Sequence, residues 1–362
     1  MFAGGGTGGH LYPALVVAGA LRDAFGESTA ITFIGAQRGI EQRLVPEAGY
    51  PLVSLRISGI KGRGLLDKLR AALAAARALL RCFFWMRRHR PDLVVGVGGY
   101  ASGPAVLAAT WTNVKTMVLE QNHFPGATNR WLTPRVDAVC VPSEDARERL
   151  GGIGIVTGNP VRAAFFETDE LPLGSRPTLL VFGGSRGAHS INRAMSAIVT
   201  QLARLDPAPR VVHQCGEADL DAVREVARAY PQGLYEVQPF LDDMPARLAA
   251  ADLVICRAGA STLSELTAAG RPAILIPYPH AADDHQRHNA ESIARVGAAR
   301  VVTDAELGDG RLAGVLEELF ADREALRRMG RAARQLGKPD ATRHIVDVAR
   351  GLLSTEGGAR VS

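Results

Sequence analysis

The stretch Gly4-Gly5-Gly6-Thr7-Gly8-Gly9-His10 restricts the possible folds of this chain more than any other feature. Five of its seven residues are glycine, and it leads from a very short apolar start into residues 11–25, whose apolar positions recur at helical spacing. Such a turn lets backbone N–H groups approach an anion at the start of a helix, where the helix dipole also favours negative charge. The sequence therefore predicts a phosphate or diphosphate ligand, although a turn that only joins a strand to a helix would also use glycines.

The same turn contains the glycine spacing of a dinucleotide-binding fingerprint, at Gly4, Gly6 and Gly9. That fingerprint also requires an acidic residue about 20 residues further on, at the end of the second strand, to hold the ribose hydroxyls. Here the second predicted strand, residues 30–34, is followed by Gly-Ala-Gln at 35–37, which offers no carboxylate. An NAD-dependent oxidoreductase is therefore disfavoured.

Length and composition indicate a cytosolic protein of two domains. A chain of 362 residues exceeds one ordinary core, and 47% apolar with 22% charged residues is a globular composition. The four cysteines are scattered without a Cys-x-x-Cys pair, and no basic-then-apolar leader opens the chain, so we expect a reduced protein without a secretory signal. The net charge of +5 permits nucleic acid, phosphorylated ligands or an anionic membrane as partners.

Strand patterns alternate with helical patterns along the whole chain, which predicts an α/β fold of parallel sheets covered by helices on both faces. The boundary is placed at the irregular stretch that follows residue 162, giving domains 1–162 and 163–339. At Thr178 the order of strand, glycine turn and helix begins again. Two such halves facing each other across a cleft are the predicted architecture.

A long helix is predicted over residues 65–90, and its core-facing stripe is expected to consist of the apolar residues at helical spacing. These are Leu66, Leu69, Leu73, Leu80 and Phe84. The run Cys-Phe-Phe-Trp-Met at 82–86 is apolar all round the helix, so part of it must face outward.

The same segment is strongly cationic, with nine Lys or Arg against one acid between residues 61 and 90. Outward aromatic residues ringed by cations are typical of a helix that lies in a membrane interface, and the arginines within it exclude a transmembrane span. The predicted membrane residues are Phe83, Phe84, Trp85, Arg81, Arg87 and Arg88. A domain-packing helix with a solvated basic face is the alternative.

Further small or polar residues directly follow predicted strands, on the side where open α/β sheets bind ligands. For Glu265 two interpretations stay open, a capping box with Thr262 or acceptance of hydrogen bonds from ribose hydroxyls while the helix start holds phosphate. His285, His288 and two nearby aspartates suggest a metal, but acids ahead of a helix are more often dipole partners, so no metal site is predicted.

Taken together, the motifs resemble those of the MurG family, the peptidoglycan N-acetylglucosaminyltransferases of bacteria. The resemblance covers nearly the whole chain, and the motifs recur in the same order. They are Gly5-Gly6-Thr7-Gly8-Gly9-His10, Gly98-Gly99-Tyr100 with Ser102-Gly103-Pro104, Glu120-Gln121-Asn122, Thr128-Asn129, Gly158-Asn159-Pro160-Val161-Arg162, Gly183-Gly184-Ser185 with Gly187-Ala188, Arg257-Ala258-Gly259-Ala260, and Asp283-Asp284-His285-Gln286 with Asn289.

This resemblance implies a fold of the GT-B type, with two Rossmann-like domains and a last helix, 340–353, that packs back on the first domain. It implies transfer of N-acetylglucosamine, with inversion, from UDP-N-acetylglucosamine to the 4-hydroxyl of the muramoyl sugar of lipid I, which gives lipid II. The implied partners are these two substrates and the anionic inner leaflet, with the protein peripheral on the cytoplasmic side of the cell membrane. Nucleic acid is not an implied partner, and no cofactor is obligatory, with a divalent cation at most assisting.

The matching positions also imply residue roles. Donor contacts are implied for Thr7, Gly8, Gly9, Asn122, Arg162, Ser185, Leu241, Ala260, Ser261, Thr262, Leu263, Ser264, Glu265 and Gln286. Tyr100 and Asn129 are assigned to the acceptor side. His10 is the candidate general base, or alternatively the residue that orients the acceptor hydroxyl, and the start of a helix is expected to keep its imidazole neutral. Glu120 is the second candidate for the base.

Two departures from the family pattern stand out. The family has several more residues before the glycine turn, so the resemblance implies a start upstream of Met1. Leu119 stands where the family often has histidine, and no role is carried to it. Another GT-B enzyme with a lipid acceptor such as diacylglycerol, a UDP-N-acetylglucosamine 2-epimerase, and a non-catalytic sugar-nucleotide sensor at the membrane are the alternative functions.

Overall fold

The structure is a computed structural model that describes residues 1–37, 39–57, 65–168 and 170–354, with the side chains of residues 65–71 left out. It divides the chain into two compact units, one formed by Met1–Val161 with Asp340–Ser362 and the other by Arg162–Pro339. Each unit is a parallel sheet covered by helices, so the predicted α/β class is confirmed. Arg162, predicted as the last residue of the first domain, belongs to the second unit.

The first unit is built on seven parallel strands. These are β1 (Phe2–Ala3), β2 (Phe33–Ala36), β3 (Leu52–Leu55), β4 (Leu93–Gly96), β5 (Lys115–Leu119), β6 (Ala138–Val141) and β7 (Ile155–Val156). Its helices, numbered along the whole chain, are α1 (Gly8–Phe25), α2 (Glu41–Glu47), α3 (Leu65–His89), α4 (Ser102–Trp111), α5 (Ala127–Leu132), α6 (Glu144–Arg149) and α14 (Ala341–Ser354). The strand order is β3-β2-β1-β4-β5-β6-β7.

The second unit has six parallel strands. These are β8 (Thr178–Phe182), β9 (Arg210–Gln214), β10 (Tyr235–Gln238), β11 (Leu253–Cys256), β12 (Ala273–Leu275) and β13 (Ala299–Val301). Its helices are α7 (His189–Ala203), α8 (Leu220–Ala227), α9 (Met244–Ala250), α10 (Ala260–Ala269), α11 (His285–Arg295), α12 (Arg311–Ala321) and α13 (Arg323–Leu336). The strand order is β10-β9-β8-β11-β12-β13.

In each sheet the chain first adds strands on one side of a central strand and then continues on its other side. The central strand is β1 in the first sheet and β8 in the second. Although β1 has only two residues, it pairs with β2 on one side and β4 on the other. In open α/β sheets, ligands bind outside the carboxyl ends of the strands at such a reversal. The fold therefore singles out the turns that follow β1 and β4 in the first unit, and those that follow β8 and β11 in the second.

The first sheet carries a hydrophobic core on each face. One core joins residues of α1 such as Leu11 and Val17 to Ile345, Val346 and Ala349 of α14, so α14 packs on the first unit. The other core lies under α3 and α4 and is rich in small residues.

The structure corrects the predicted core stripe of α3. Leu73, Leu80 and Phe84 are 50%, 55% and 66% exposed, whereas Cys82 and Met86 are buried against α4. Helix α4 offers alanines at its contact face, and small residues let two helices approach closely, so Ala78, Cys82 and Met86 form the buried side of α3. The largest apolar stripe of α3 described by the structure therefore faces outward. Leu66 and Leu69, the other predicted members, lie outside the described side chains.

Two adjacent leucines of α14 test the packing of this helix on the first unit. Leu352 is 5% exposed within the core, and Leu353 is 36% exposed. We expect Leu352→Ala to lower the free energy of unfolding by about 2–4 kcal/mol, because it removes buried methyl groups and leaves a cavity. Leu353→Ala, the matched control, should cost less than about 1 kcal/mol. Equal losses in denaturant unfolding would contradict the docking of α14.

Candidate functional site

The turns after β1 and β4 interlock through glycine backbones. Gly4, Gly5 and Gly6 have φ values of 144°, 131° and 88°, which residues with a side chain rarely adopt. A Cβ on Gly4 would collide with the carbonyl oxygen of Gly98, and one on Gly99 with that of Gly5. Glycine at these positions is thus required both by backbone conformation and by the close approach of the two turns.

His10 lies in the first turn of α1, next to this interlocked pair of turns. The Thr7 hydroxyl oxygen is 3.3 Å from Nδ1 of His10, and the ring packs on Gly98, where a Cβ would come within 2.9 Å of Nε2. The imidazole is half-buried at the carboxyl edge of the sheet. Tyr100, predicted on the acceptor side, follows β4 at the same edge and is 63% exposed.

Glu120, the second candidate for general base, is buried and fully hydrogen-bonded. One carboxylate oxygen accepts from the backbone N–H and the side-chain amide of Asn122, at 2.8 and 3.1 Å. The other accepts from the N–H of Gly126 and the side-chain amide of Asn129, at 2.9 and 2.8 Å. Taking a proton would break part of this set, so the geometry favours a role in ordering the loop at 122–129.

This arrangement also changes the interpretation of Asn129. The sequence places it on the acceptor side, but its side chain is 4% exposed and points its amide group at Glu120. Within the first unit, Asn129 therefore supports the loop from inside.

In the second unit, the turn after β8 is held against the end of β9. A Cβ on Gly187 would collide with the carbonyl oxygen of Cys215, so only glycine permits this approach. Ser185, a predicted donor contact, lies exposed in this turn ahead of α7. The close packing of the turn on β9 presents the Ser185 hydroxyl to solvent at the carboxyl edge.

Arg257, directly after β11, ties three parts of the second unit together. Its guanidinium donates to the Ser190 hydroxyl at 2.7 Å and forms an ion pair with Asp304, and it also donates to the carbonyl of Ile276 at 3.2 Å. Its side chain is only 12% exposed. No role was assigned to Arg257 from sequence alone, although a cation directly after a fully apolar strand is a signal that could have identified it.

The start of α10 is the clearest anion site of the second unit. The helix begins at Ala260 after Gly259, which has no side chain to cap the first turn. Of the two interpretations left open for Glu265, the capping box with Thr262 is therefore excluded, because both residues lie inside the helix. The first-turn N–H groups at residues 260–262 remain suited to an anion, as at other helix N-termini.

Glu265 lies one turn further along α10 and is half-buried. Burial raises the pKa of its carboxyl group from 4.5 to about 7, and the positive charge of Arg162 opposes that rise in part. The attraction of Arg162 offsets only part of the cost of burying the Glu265 carboxylate. Glu120 differs, because donors of its own loop hydrogen-bond to both of its carboxylate oxygens. Among the acids that the structure describes in the second unit, Glu265 is thus the one best suited to accept hydrogen bonds from a ligand.

The remaining predicted residues of the second unit also lie near strand ends. Leu241, after β10, buries its side chain. The carboxamide oxygen of Gln286 accepts from the N–H of Tyr278 at 2.9 Å, so its NH₂ group is the part suited to donate to a sugar. Within the described ranges, no three His, Cys, Asp or Glu side chains are grouped as a metal site, and His285 instead contacts the carbonyl of Ala282.

The predicted donor residues form two groups, one in each unit. Thr7, Gly8, Gly9 and Asn122 lie in the first unit, together with His10 and Tyr100. Arg162, Ser185, Leu241, the first residues of α10 and Gln286 lie in the second. Almost all of them follow the carboxyl end of a strand, where the topology predicts a ligand.

Comparison with known proteins assigns both units to one family. The glycosyltransferase family 28 N-terminal domain matches residues 1–141, and the family 28 C-terminal domain matches residues 178–345. A UDP-N-acetylglucosamine--N-acetylmuramyl-(pentapeptide) pyrophosphoryl-undecaprenol N-acetylglucosamine transferase of Syntrophotalea carbinolica is 45% identical, over 97% of this chain and 98% of that protein. A protein of the same name from an Anaeromyxobacter species is 41% identical, over 99% and 94%.

Among solved structures, the crystal structure of MurG from Acinetobacter baumannii is similar to this chain with a TM-score of 0.79 and 30% identity. The similarity covers 97% of this chain and 99% of that one. This chain belongs to glycosyltransferase family 28 and, within it, to the MurG family of N-acetylglucosamine transferases.

Proposed function

We propose that the protein transfers N-acetylglucosamine from UDP-N-acetylglucosamine to the 4-hydroxyl of the muramoyl sugar of lipid I, giving lipid II for peptidoglycan synthesis. Its family membership supports this reaction. The observation that carries the proposal is the start of α10, where uncapped helix N–H groups lie one turn from the half-buried Glu265. A helix N-terminus is suited to a diphosphate, and a carboxylate to ribose hydroxyls.

In this proposal the second unit makes most of the donor contacts, and Thr7, Gly8, Gly9 and Asn122 of the first unit add to them. The first-turn N–H groups of α10 and the guanidinium of Arg162 face the diphosphate, and Glu265 accepts hydrogen bonds from the ribose. The backbone at Leu241 contacts the uracil, while Ser185 and the NH₂ group of Gln286 contact the rest of the donor. Positive charge at the diphosphate stabilises the departing UDP, so we propose that no metal is obligatory and that a divalent cation at most assists.

The first unit supplies the acceptor side and the base. His10 takes the proton of the acceptor 4-hydroxyl as that oxygen forms a bond to the anomeric carbon. The bond from the anomeric carbon to the diphosphate oxygen breaks, and its electron pair leaves with UDP. Attack opposite to the leaving group inverts the sugar carbon. Glu120 orders the loop at 122–129 beside this site through its four internal hydrogen bonds.

We also propose that the outward face of α3 contacts the membrane on its cytoplasmic side. Leu73, Leu80 and Phe84 form an exposed apolar stripe there, and Arg81, Arg87 and Arg88 are exposed beside it. Apolar side chains flanked by cations suit an anionic leaflet, and none of the described helices has a stretch long and apolar enough to cross a bilayer.

The exposure of the aromatic side chains supports a narrower choice of residues for this proposed surface. Phe83 and Trp85 are half-buried, and the Trp85 ring stacks on His89 with 4.3 Å between ring centres. Trp111, at the end of α4, is 58% exposed and lines a surface hollow of about 660 Å³ together with Phe83 and Arg87. We therefore assign the deepest membrane contact to Phe84 and add Trp111.

The transfer assay is the direct test of the proposed reaction. Labelled N-acetylglucosamine should move from UDP-N-acetylglucosamine to lipid I, with EDTA present, and not to diacylglycerol. In His10→Ala, transfer should fall by about 10²–10⁴-fold while UDP binding is retained, because the base acts only in the chemical step. Absence of transfer to lipid I in the wild type would overturn the proposal, and full activity of His10→Ala would remove the assigned base.

The raised pKa of Glu265 predicts that donor binding depends on pH. Ribose hydroxyls donate to the ionised carboxylate, so affinity for UDP-N-acetylglucosamine should fall by up to about tenfold per unit as pH drops below about 7. The diphosphate of this ligand is a diester that does not titrate in this range. Calorimetry between pH 5.5 and 8 should show this slope for the wild type and a flat, weaker profile for Glu265→Gln.

The same shift has a consequence for stability. Because the folded-state pKa lies above 4.5, the contribution of Glu265 to stability is complete below about pH 4.5 and is lost as pH rises through 7. Glu265→Gln should therefore raise the unfolding temperature of the ligand-free protein at pH 8.

For the donor-affinity prediction, a pH-dependent affinity that persists in Glu265→Gln would show that another group titrates.

Vesicle sedimentation tests the proposed membrane surface. Phe84→Ser should weaken binding to vesicles containing phosphatidylglycerol by roughly tenfold, since it removes a large apolar side chain from the interface. Phe25→Ser is the matched control, because Phe25 is also exposed, at 38%, but ends α1 on the opposite face of the sheet. Equal effects of the two variants would contradict the assignment of this surface.

A further inference from the structure

Glu41, the first residue of α2, lies directly beneath the glycine turn that follows β1. Its side chain is buried, with only 1% of the residue exposed. One carboxylate oxygen accepts from the N–H of Gly6 at 2.8 Å, and the other accepts from the N–H of Ala36 at 2.9 Å. The carboxylate therefore joins the turn after β1 to the end of β2.

Three glycines form the seat of this carboxylate. A Cβ on Gly5 would lie 2.8 Å from the carboxylate carbon, and one on Gly35 would lie 2.6 Å from Cγ of Glu41. A Cβ on Gly39 would collide with the carboxylate itself. The glycine content around this position is thus explained by the space that an internal carboxylate needs, and not only by an external anion.

The buried carboxylate of Glu41 limits what the first glycine turn can bind. The N–H of Gly6 already donates to Glu41, and a buried negative charge beneath the turn opposes a second anion there. The sequence predicted a phosphate at this turn, and the structure places an acidic side chain of the chain itself on its inner face. Only the start of α1, residues 7–9, remains suited to an external ligand.

The same contacts connect Glu41 to the candidate base. Gly5 packs on Gly99, and the neighbouring Gly98 packs on the ring of His10. Displacement of the turn after β1 would therefore move the turn after β4 and the imidazole that rests on it. Misplacement by about 1 Å is enough to lower an enzymatic rate on the order of a hundredfold.

We propose that Glu41 is a positioning residue, an internal anion that fixes the first glycine turn and so sets the place of His10 against the acceptor. This inference rests on the proposed transfer reaction. It differs from a general stabilising role because it predicts a fall in kcat much larger than any change in donor binding, since most of the predicted donor residues lie in the second unit and Glu41 lies in the first.

Glu41→Gln is the first test, made in the full chain. Its carboxamide keeps the shape but faces one of the two backbone N–H groups with an NH₂ group, so one hydrogen bond is lost and two donors oppose each other. We expect kcat for transfer to lipid I to fall by about a hundredfold, with KM for UDP-N-acetylglucosamine within about twofold of wild type. Glu47→Gln is the matched control, since Glu47 lies on the same helix but is exposed and pairs with Arg43.

Gly39→Ala is an independent test, because it displaces the carboxylate without removing its charge. A loss of kcat similar to that of Glu41→Gln supports the positioning role. Activity within about twofold of wild type in folded Glu41→Gln, or a loss matched by Glu47→Gln, overturns it. A loss of donor affinity as large as the loss of kcat also overturns it, because the effect of Glu41 would then not act mainly through the position of His10.

Hydrogen exchange on the wild-type protein keeps the inference testable if both variants fail to fold. The N–H groups of Gly6 and Ala36 should exchange at least about a hundredfold more slowly than an open loop, whereas exchange at the open-loop rate would overturn the proposal. An inactive wild-type protein with protected N–H groups would instead count against the transfer reaction, so the two failures are distinguishable.

Discussion

The close approach of glycine backbones at the carboxyl ends of the central strands is the constraint on which both units depend. In the first unit, the turns after β1 and β4 meet so tightly that side chains at Gly4 and Gly99 would collide with carbonyl oxygens. In the second, Gly187 meets the end of β9 in the same manner. Because these contacts are between backbones, they fix the start of α1 and the turn before α7 without depending on side-chain rotamers. Polar groups at the sheet edges are thereby held where a ligand reaches them.

Three acidic residues show how the surroundings of a carboxyl group separate support from ligand binding. Glu41 and Glu120 are buried but accept hydrogen bonds from groups of the first unit, Glu41 from the turn after β1 and the end of β2 and Glu120 from its own loop, so their charge is used inside the fold. Glu265 lies in a desolvated position that raises its pKa to about 7. In our proposal, ionised Glu265 accepts hydrogen bonds from the ribose of the donor, whereas the other two acids already accept theirs from the protein. The two internal acids stiffen the first unit, and we expect the third to couple donor binding to protonation.

Much of the fold followed from local sequence patterns, because strand, glycine turn and helix succeed each other within about 30 residues. The predicted strand 178–182 coincides with β8, and the long helix from residue 65 ends at His89. The sequence was a poorer guide to which helices and side chains pack against each other. Helical spacing identified an apolar stripe on α3 but not its direction, which the alanines of α4 decide. The capping-box interpretation of Thr262 failed because the helix begins three residues earlier than that box requires, directly after Gly259. The role of Glu41 could not be predicted from local patterns, because its hydrogen-bond partner Gly6 is 35 positions away in the chain.

A crystal structure of the protein with UDP-N-acetylglucosamine bound tests the central assignment most directly. Our account predicts that both ribose hydroxyls lie about 3 Å from the Glu265 carboxylate and that the diphosphate contacts the first-turn N–H groups of α10. Uridine bound away from Glu265, or a donor diphosphate seated beneath the turn at Gly5 and Gly6, would contradict it.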